Sequence, residues 1–332
     1  MTQPPNQPRT DSSAAPTFGP ASGSSGSGVL LRLGTRQSPL AMAQAEEARR
    51  RLCKAHGWPE GAVELVPVRA SGDRIQDRPL AEIGGKALWT KELDEWLAEG
   101  HIDAAVHSMK DVETIRPGSL TIAAILPRAD IRDVLIGASS IAAVPRGATI
   151  GTSAPRRAAQ FLHHRPDCRV VSLRGNVATR LAKLAAGDVD ATFLAAAGLQ
   201  RLGQEGTGTP LPQQEWLPAP AQGAIGIECN TADTGTRALL DAVNDAPSFA
   251  SVMAERALLR ALGGNCHSPI AALTTAEGAH LRLQAALYSP DGLASVTGEC
   301  VLEPLDDAPP AALARDLLAR ASKLITVHFD GC

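Results

Sequence analysis

The chain has 332 residues, of which 44% are hydrophobic, 3% aromatic and 20% charged, and it carries a formal net charge of −3. That length allows two or three domains, each with its own core. The balanced charge and scarce aromatics argue against a nucleic-acid surface, and no run of about 18 or more uncharged apolar residues marks a membrane span.

Six cysteines, at positions 53, 168, 229, 266, 300 and 332, show neither close pairing nor C-x-x-C spacing. Reduced thiols in a cytoplasmic protein are expected, with no disulfide framework and no metal site. Residues 1–28 are rich in Pro, Ser, Gly, Thr and Gln and bury too little to offset ordering entropy, so a disordered tail is expected there.

From Val29 onward strands and helices alternate. Leu30 to Leu33 reads as a strand, Gly34-Thr35-Arg36-Gln37 as its exit, and Ser38-Pro39 as an N-cap followed by proline at the first helical position. That helix runs to about His56 and stops at Gly57. Arg36 then sits at a helix entrance, where backbone N–H groups favour anions. A second strand covers Ala62 to Arg69, with a turn at Ser71-Gly72-Asp73. Gly84-Gly85-Lys86 precedes a helix from Ala87 to Glu99; it lacks the spacing of a nucleotide phosphate loop. The strand-like run Ile102 to Val106 leads into His107-Ser108-Met109-Lys110-Asp111, which sets a carboxylate beside an ammonium where a chain would leave a sheet edge. An acid there can stabilise a cation or move a proton.

Leu120 to Leu126 is a further strand, and Pro127 to Asp130 marks a crossing into a second domain. There, Gly151-Thr152-Ser153 leads into a helix with Pro155 in its first turn and Arg156-Arg157 behind it. A strand from Val170 to Leu173 exits into Arg174-Gly175-Asn176, where Asn176 can cap a helix carrying Arg180. The strand Ala191 to Leu194 leads on to Arg201. Each arginine alone has structural ion pairing as its alternative; their repeated placement at strand exits and helix starts suits carboxylates or phosphates. Pro218 to Gly223 reads as a stiff linker, and Ala224 to Cys229 as a strand returning to the first domain. The remainder reads as a helix (Phe249 to Leu262), a Gly-rich loop holding Cys266, three strands with a Pro290-Asp291-Gly292 turn, and a last helix. A loop cysteine preceded by glycines can be ionised or alkylated where a core cysteine cannot.

The expected fold class is α/β, with two doubly wound lobes built from parallel βαβ units and a small α+β C-terminal domain with an antiparallel sheet. The boundaries are residues 29–126 with 224–245 for domain 1, 127–223 for domain 2 and 246–332 for domain 3.

Taken together and in order, Gly34-Thr35-Arg36-Gln37-Ser38-Pro39-Leu40, Gly84-Gly85-Lys86, Val106-His107-Ser108-Met109-Lys110-Asp111-Val112, Gly151-Thr152-Ser153 with Arg156-Arg157, Ser172-Leu173-Arg174-Gly175-Asn176-Val177, Thr179-Arg180-Leu181, Gln222-Gly223-Ala224 and the Cys266 loop closely resemble the porphobilinogen deaminase family. The resemblance implies lobes like those of two-lobed anion-binding proteins and an enzyme that condenses four porphobilinogen molecules into linear hydroxymethylbilane. It implies a dipyrromethane cofactor attached through a thioether to Cys266, and Asp111 as the catalytic acid group. Arg36, Arg156, Arg157, Arg174, Arg180 and Arg201 match arginines that bind pyrrole carboxylates, with Ser38, Lys86, Lys110, Ser153, Gln222 and Gly223 in matching contact positions. The expected partners are porphobilinogen and the growing polypyrrole chain, with no nucleic acid and no membrane, and the expected state is a monomer. A non-catalytic two-lobed protein binding a small dicarboxylate or phosphate is the alternative, because fold does not fix function.

Overall fold

The computed structural model describes residues 28–68, 90–265 and 267–329. Lys86, Cys266, the Ser71-Gly72-Asp73 turn and the N-terminal tail lie outside these residues. The first strand, β1 (Leu31–Arg36), runs through the residues expected to form its exit, so Arg36 ends a strand instead of occupying a loop. Helix α1 (Pro39–His56) follows, with the Ser38 hydroxyl accepting from Ala41 N and Gly57 closing it at φ 65°. That left-handed geometry is one glycine adopts without a Cβ penalty. After β2 (Val63–Val68) come α2 (Lys91–Ala98) and β3 (Ala104–Ser108), then a single 3₁₀ turn, Met109–Asp111, and β4 (Leu120–Ile125).

The second set is β5 (Asp133–Ile136), β6 (Thr149–Gly151), α3 (Pro155–His164), β7 (Arg169–Val171), α4 (Val177–Ala185), β8 (Ala191–Ala195), α5 (Ala196–Arg201) and β9 (Thr209–Pro210). Asn176 caps α4 by accepting from Thr179 N, as its position before the helix implies. Next are β10 (Ile225–Asn230), α6 (Thr234–Asp241) and α7 (Ala246–Ala261). The chain then forms β11 (Ile270–Glu277), β12 (His280–Tyr288), β13 (Ser295–Leu302), α8 (Ala308–Arg320) and α9 (Lys323–Thr326). Strands β5 and β9 and helix α6 were not expected from the sequence, being short and carrying no clean period.

Two five-stranded sheets have the orders β2-β1-β3-β10-β4 and β7-β6-β8-β5-β9. They contain the expected parallel βαβ units, with one reversed strand in each. In the first, β1 is parallel to β2 and β3, while β10 runs antiparallel to β3 and β4. In the second, β6 is parallel to β7 and β8, while β5 runs antiparallel to β8 and β9. The reversed strand in each sheet is the one that enters directly after the chain leaves the other sheet. Two antiparallel crossings thus tie the lobes together. Strand β3 is the central strand of its sheet, not an edge, so Asp111, itself half-buried, follows the end of a central strand. The third sheet is antiparallel, β11-β12-β13, and packs Leu281, Leu283 and Leu287 against Leu258 and Leu317 of the flanking helices.

The stretch Pro218 to Gly223 is not a free linker. Ala221 and Gln222 are buried, and Ala221 holds the left-handed conformation at φ 58°. At Gly223, φ is 83° and an added Cβ would lie 2.8 Å from Ala129 O, so only glycine fits where the two crossings touch. Glu255 of α7 joins both crossings to the third domain: it receives two hydrogen bonds of 2.9 Å from Arg128, one of 2.6 Å from Ala221 N and one of 2.9 Å from Thr274 N. Removing one partner of such a buried pair leaves an uncompensated charge. Glu255→Ala is therefore expected to destabilise the protein by about 3–5 kcal/mol, read as a lowered denaturation midpoint; an unchanged midpoint would contradict the assignment of this carboxylate as the junction.

Candidate active site

The site is built where β3 ends. Strand pairing to β10 places Ser108 opposite Ile225, and the 3₁₀ turn that follows presents Lys110 and Asp111 while Met109 is buried beneath. Asp111 lines two cavities. One, of about 130 Å³, is bounded by Lys110, Arg156, Arg157, Gln222 and, from the third domain, Asn265 and Ser268. The other, of about 20 Å³, includes Arg36, Gln44, Thr90, His107 and Ser108. The acid thus stands between a space reached by the cysteine loop and a space reached by Arg36.

Electrostatics in the larger cavity come from charges converging at low solvent exposure. Burial and the neighbouring Arg157 push Lys110 down to about 8, with Asp111 and Asp133 opposing that shift and Arg156 adding to it. Its ammonium donates to Gln222 Oε1 at 3.3 Å. Arg180, which donates to Gly175 O at 3.0 Å, is lowered to about 10 by burial and by repulsion from Arg157 and Arg174, with Asp111 as its supporting charge. Lys110, Arg156, Arg157 and Arg180 are therefore four cations set against the carboxylates of Asp111 and Asp133. Like charges at close quarters are unfavourable unless an anion joins them.

The structure separates the arginines expected to bind anions. Arg156 and Arg157 are buried, and each meets Asp133: Arg156 Nη1 at 2.6 Å and Arg157 Nη2 at 2.7 Å. Arg157 also donates to Phe193 O at 2.9 Å. Arg156 lines the larger cavity, and its Nε is buried without a hydrogen-bond partner among the described residues, an unsatisfied donor of a kind that is rare in folded proteins. Arg201 is engaged elsewhere, with Glu47 at 3.3 Å and Gly223 O at 3.1 Å. Ser38 caps α1, and Ser153 shares a 2.9 Å contact with Ser172; neither lines the two cavities, nor do Arg174, Arg180, Arg201 and Gly223.

Asp133 and Trp216, which donates to it at 2.8 Å, were missed in the sequence. A signal for the first existed: a carboxylate heading the apolar run Asp133–Ile136 must find cationic partners if that strand is buried. A second buried network, Arg116 with Glu228 at 2.8 Å, Glu113 at 2.7 Å and Asp94, braces the loop after Asp111. Burial pushes Glu228 up, yet His107 and Arg116 outweigh it and bring it down to about 2. His107 Nε2 lies 3.3 Å from Glu228, near enough for ion pairing though not aligned as a hydrogen bond.

Lys110 also makes stability depend on pH. Its pKa is about 8 when folded against an ordinary 10.5, so the unfolded chain binds more protons between these values and stability from this group rises with pH across that window. Lys110→Met is expected to stabilise the protein more at pH 7 than at pH 10, measured by thermal midpoints at both. An equal change at the two pH values would mean that Lys110 does not titrate there.

Fold and site together define a two-lobed α/β protein whose cationic cleft holds one acid between two cavities and receives a loop from an appended antiparallel domain. Residues 31–238 match the family described as porphobilinogen deaminase, dipyromethane cofactor binding domain, and residues 249–317 match the porphobilinogen deaminase C-terminal domain. A relative from Sphingopyxis alaskensis named porphobilinogen deaminase is 55% identical, over 90% of this chain and 96% of its own. Another of that name, from Paracoccus denitrificans, is 47% identical over 88% of this chain and 94% of its own. This chain belongs to the porphobilinogen deaminase family. Among solved structures, immunogenic lipoprotein A from Vibrio vulnificus is similar at 14% identity and a TM-score of 0.39, covering 66% of this chain and 96% of that one, a likeness too distant to bear on the site.

Proposed function

We propose that this chain is a deaminating transferase of tetrapyrrole biosynthesis, condensing four porphobilinogen molecules head to tail, with loss of ammonia at each addition, and releasing the chain by hydrolysis with one water as hydroxymethylbilane. The observation that carries the reading is the position of Asp111 on both cavities. A polymerase of this kind needs one group that reaches both the held end of a chain and the incoming monomer.

The residues present fit a dipyrromethane. Its acetate and propionate groups are anions, and Lys110, Arg156 and Arg157 are cations on the cavity that Asn265 and Ser268 line on either side of Cys266 in the sequence. Cys266 is the residue we assign as its thioether attachment, and the bound group would supply an anchored pyrrole as primer, making each addition effectively intramolecular. Arg36, Arg156, Arg157, Arg174, Arg180 and Lys110, with Lys86, orient the carboxylates of substrate and chain; Gln222 lines the larger cavity and Gly223 holds the crossing beside it. Ser38 and Arg201 act through the backbone they hold, and Ser153 through its contact with Ser172.

Loss of ammonia from porphobilinogen leaves an electron-poor azafulvene, and positive charge develops at the pyrrole nitrogens as the new carbon–carbon bond forms. Asp111 accepts the pyrrole N–H, stabilises that charge and removes the last ring proton. Among the described residues no helix is long and apolar enough to cross a membrane, and we place the enzyme in the cytoplasm as a monomer.

The test is incubation of the purified protein with porphobilinogen. One ammonia released per porphobilinogen consumed, with a linear tetrapyrrole by mass spectrometry, is the expected result. Saturable binding with no ammonia would instead identify a non-catalytic anion-binding protein.

A further inference from the structure

Asp133 has no place in the chemistry described above, yet it is the most heavily bonded carboxylate of the second lobe. It heads β5 with no solvent exposure and accepts from Arg156 Nη1 at 2.6 Å, Arg157 Nη2 at 2.7 Å and Nε at 3.2 Å, Trp216 Nε1 at 2.8 Å and Gln222 Nε2 at 2.9 Å. Three of these four donor residues, Arg156, Arg157 and Gln222, line the cavity that holds Asp111. Gln222 is itself fully buried, is fixed a second time by Ile131 O at 2.8 Å, and turns its Oε1 to the Lys110 ammonium at 3.3 Å. One chain of contacts therefore runs from β5 through the second crossing to the residue before Asp111.

We propose that Asp133 is a positioning residue for the reaction: it clamps the Arg156–Arg157 pair from below and, through Gln222, sets the place of Lys110, so that their remaining donors face the Asp111 cavity. The inference rests on the transferase reading above for the identity of that reaction. The physical reason is repulsion. Two adjacent guanidiniums in a site shielded from water drive each other apart unless an anion lies between them, and Asp133 is the carboxylate that reaches both. Burial acts to raise the Asp133 carboxyl, but the two guanidiniums outweigh it and hold the group well below the usual carboxylate range. It thus stays charged at every pH at which the enzyme works. A carboxylate serving only to stabilise the lobe would not need a link, through Gln222, to Lys110 across the lobe boundary.

Two substitutions separate charge from position. Asp133→Asn keeps the shape and removes the charge. Displacement of the arginine pair and Lys110 is expected to lower kcat by on the order of 10²-fold. The KM for porphobilinogen should stay level or fall, because the cavity becomes more positive. Lys110 is faced by Arg156, Arg157, Asp111 and Asp133, so losing the Asp133 charge lowers the pH at which its ammonium deprotonates. Carbamylation of Lys110 by cyanate as a function of pH, read by peptide mass spectrometry without substrate, should show its inflection moved to lower pH. Asp133→Glu keeps the charge but displaces it, and should retain more of the wild-type inflection while lowering kcat by roughly tenfold.

A folded Asp133→Asn protein with wild-type kcat and a wild-type Lys110 profile would overturn the proposal. Should Asp133→Asn fail to fold, wild-type kcat in Asp133→Glu would overturn it equally. A wild-type protein that consumes no porphobilinogen would sink the transferase reading instead, and the Lys110 profile would still decide whether Asp133 governs the cleft.

Discussion

Asp111→Ala is expected to fold as the wild type does and to lose turnover of porphobilinogen by about 10²- to 10⁴-fold, the range that a positioned acid–base group supplies. The fold should survive because Asp111 is partly exposed in a turn held by Met109 packing and by the Met109 N to Ala224 O bond of 3.1 Å, neither of which involves its carboxylate. Asp111→Asn is the sharper variant. It preserves size and one acceptor oxygen but cannot balance positive charge on a pyrrole nitrogen, so it should lose nearly as much activity as the alanine variant. Removing the charge also strips the supporting anion from Arg180 and Lys110, so the affinity of the cleft for small dicarboxylates should rise. Undiminished porphobilinogen consumption by either variant would remove Asp111 from the mechanism.

Cys266→Ser is the second substitution with a large expected effect, and its readout is chemical. Purified wild-type protein should carry a covalent addition of the mass of a dipyrromethane, and the serine variant should have the mass of its polypeptide alone, with turnover abolished. The thiolate is the nucleophilic form of cysteine, and a serine hydroxyl does not replace it at neutral pH. The residues that flank Cys266 in the sequence are tied to one another, with Asn265 N donating to the Ser268 hydroxyl at 3.0 Å, Ser268 N to Asn265 O at 3.0 Å and His267 N to Asn265 Oδ1 at 2.8 Å. Thr114, in the loop after Asp111, donates to Gly264 O at 3.0 Å. An active wild-type protein of unmodified mass would refute attachment at Cys266 without touching the role of Asp111.

The Asp111 stretch was legible because its signals are local. A short apolar run ending in Ser108-Met109-Lys110-Asp111 fixes a strand end and an acid, and the Ser38 and Asn176 caps were read from residue type and spacing alone. The environment of the arginines was not. Arg156 and Arg157 sit behind a helix-opening proline like anion ligands, yet Asp133, 23 and 24 positions away, takes part of each guanidinium. Arg201 meets Glu47 across 154 positions. The stretch before β10 misled for a related reason: Pro218 to Gly223 has linker composition, but the crossing it makes is buried, and the Gln222 side chain there bridges the lobes.

The sequence by itself determined most of the longer elements, the acid at the end of β3 and the cysteine in a glycine-rich loop, since hydrophobic period and capping chemistry act within a few residues; the short strands β5 and β9 and helix α6 escaped it. Tertiary structure alone decided that the strand entering each lobe after a crossing runs reversed to its neighbours, that Asp111 stands between two cavities, and which cations face it. Those outcomes depend on distances between residues far apart in the chain, and a charge pair has no sequence period to read. It exists only once the lobes have packed and water has left the space between them.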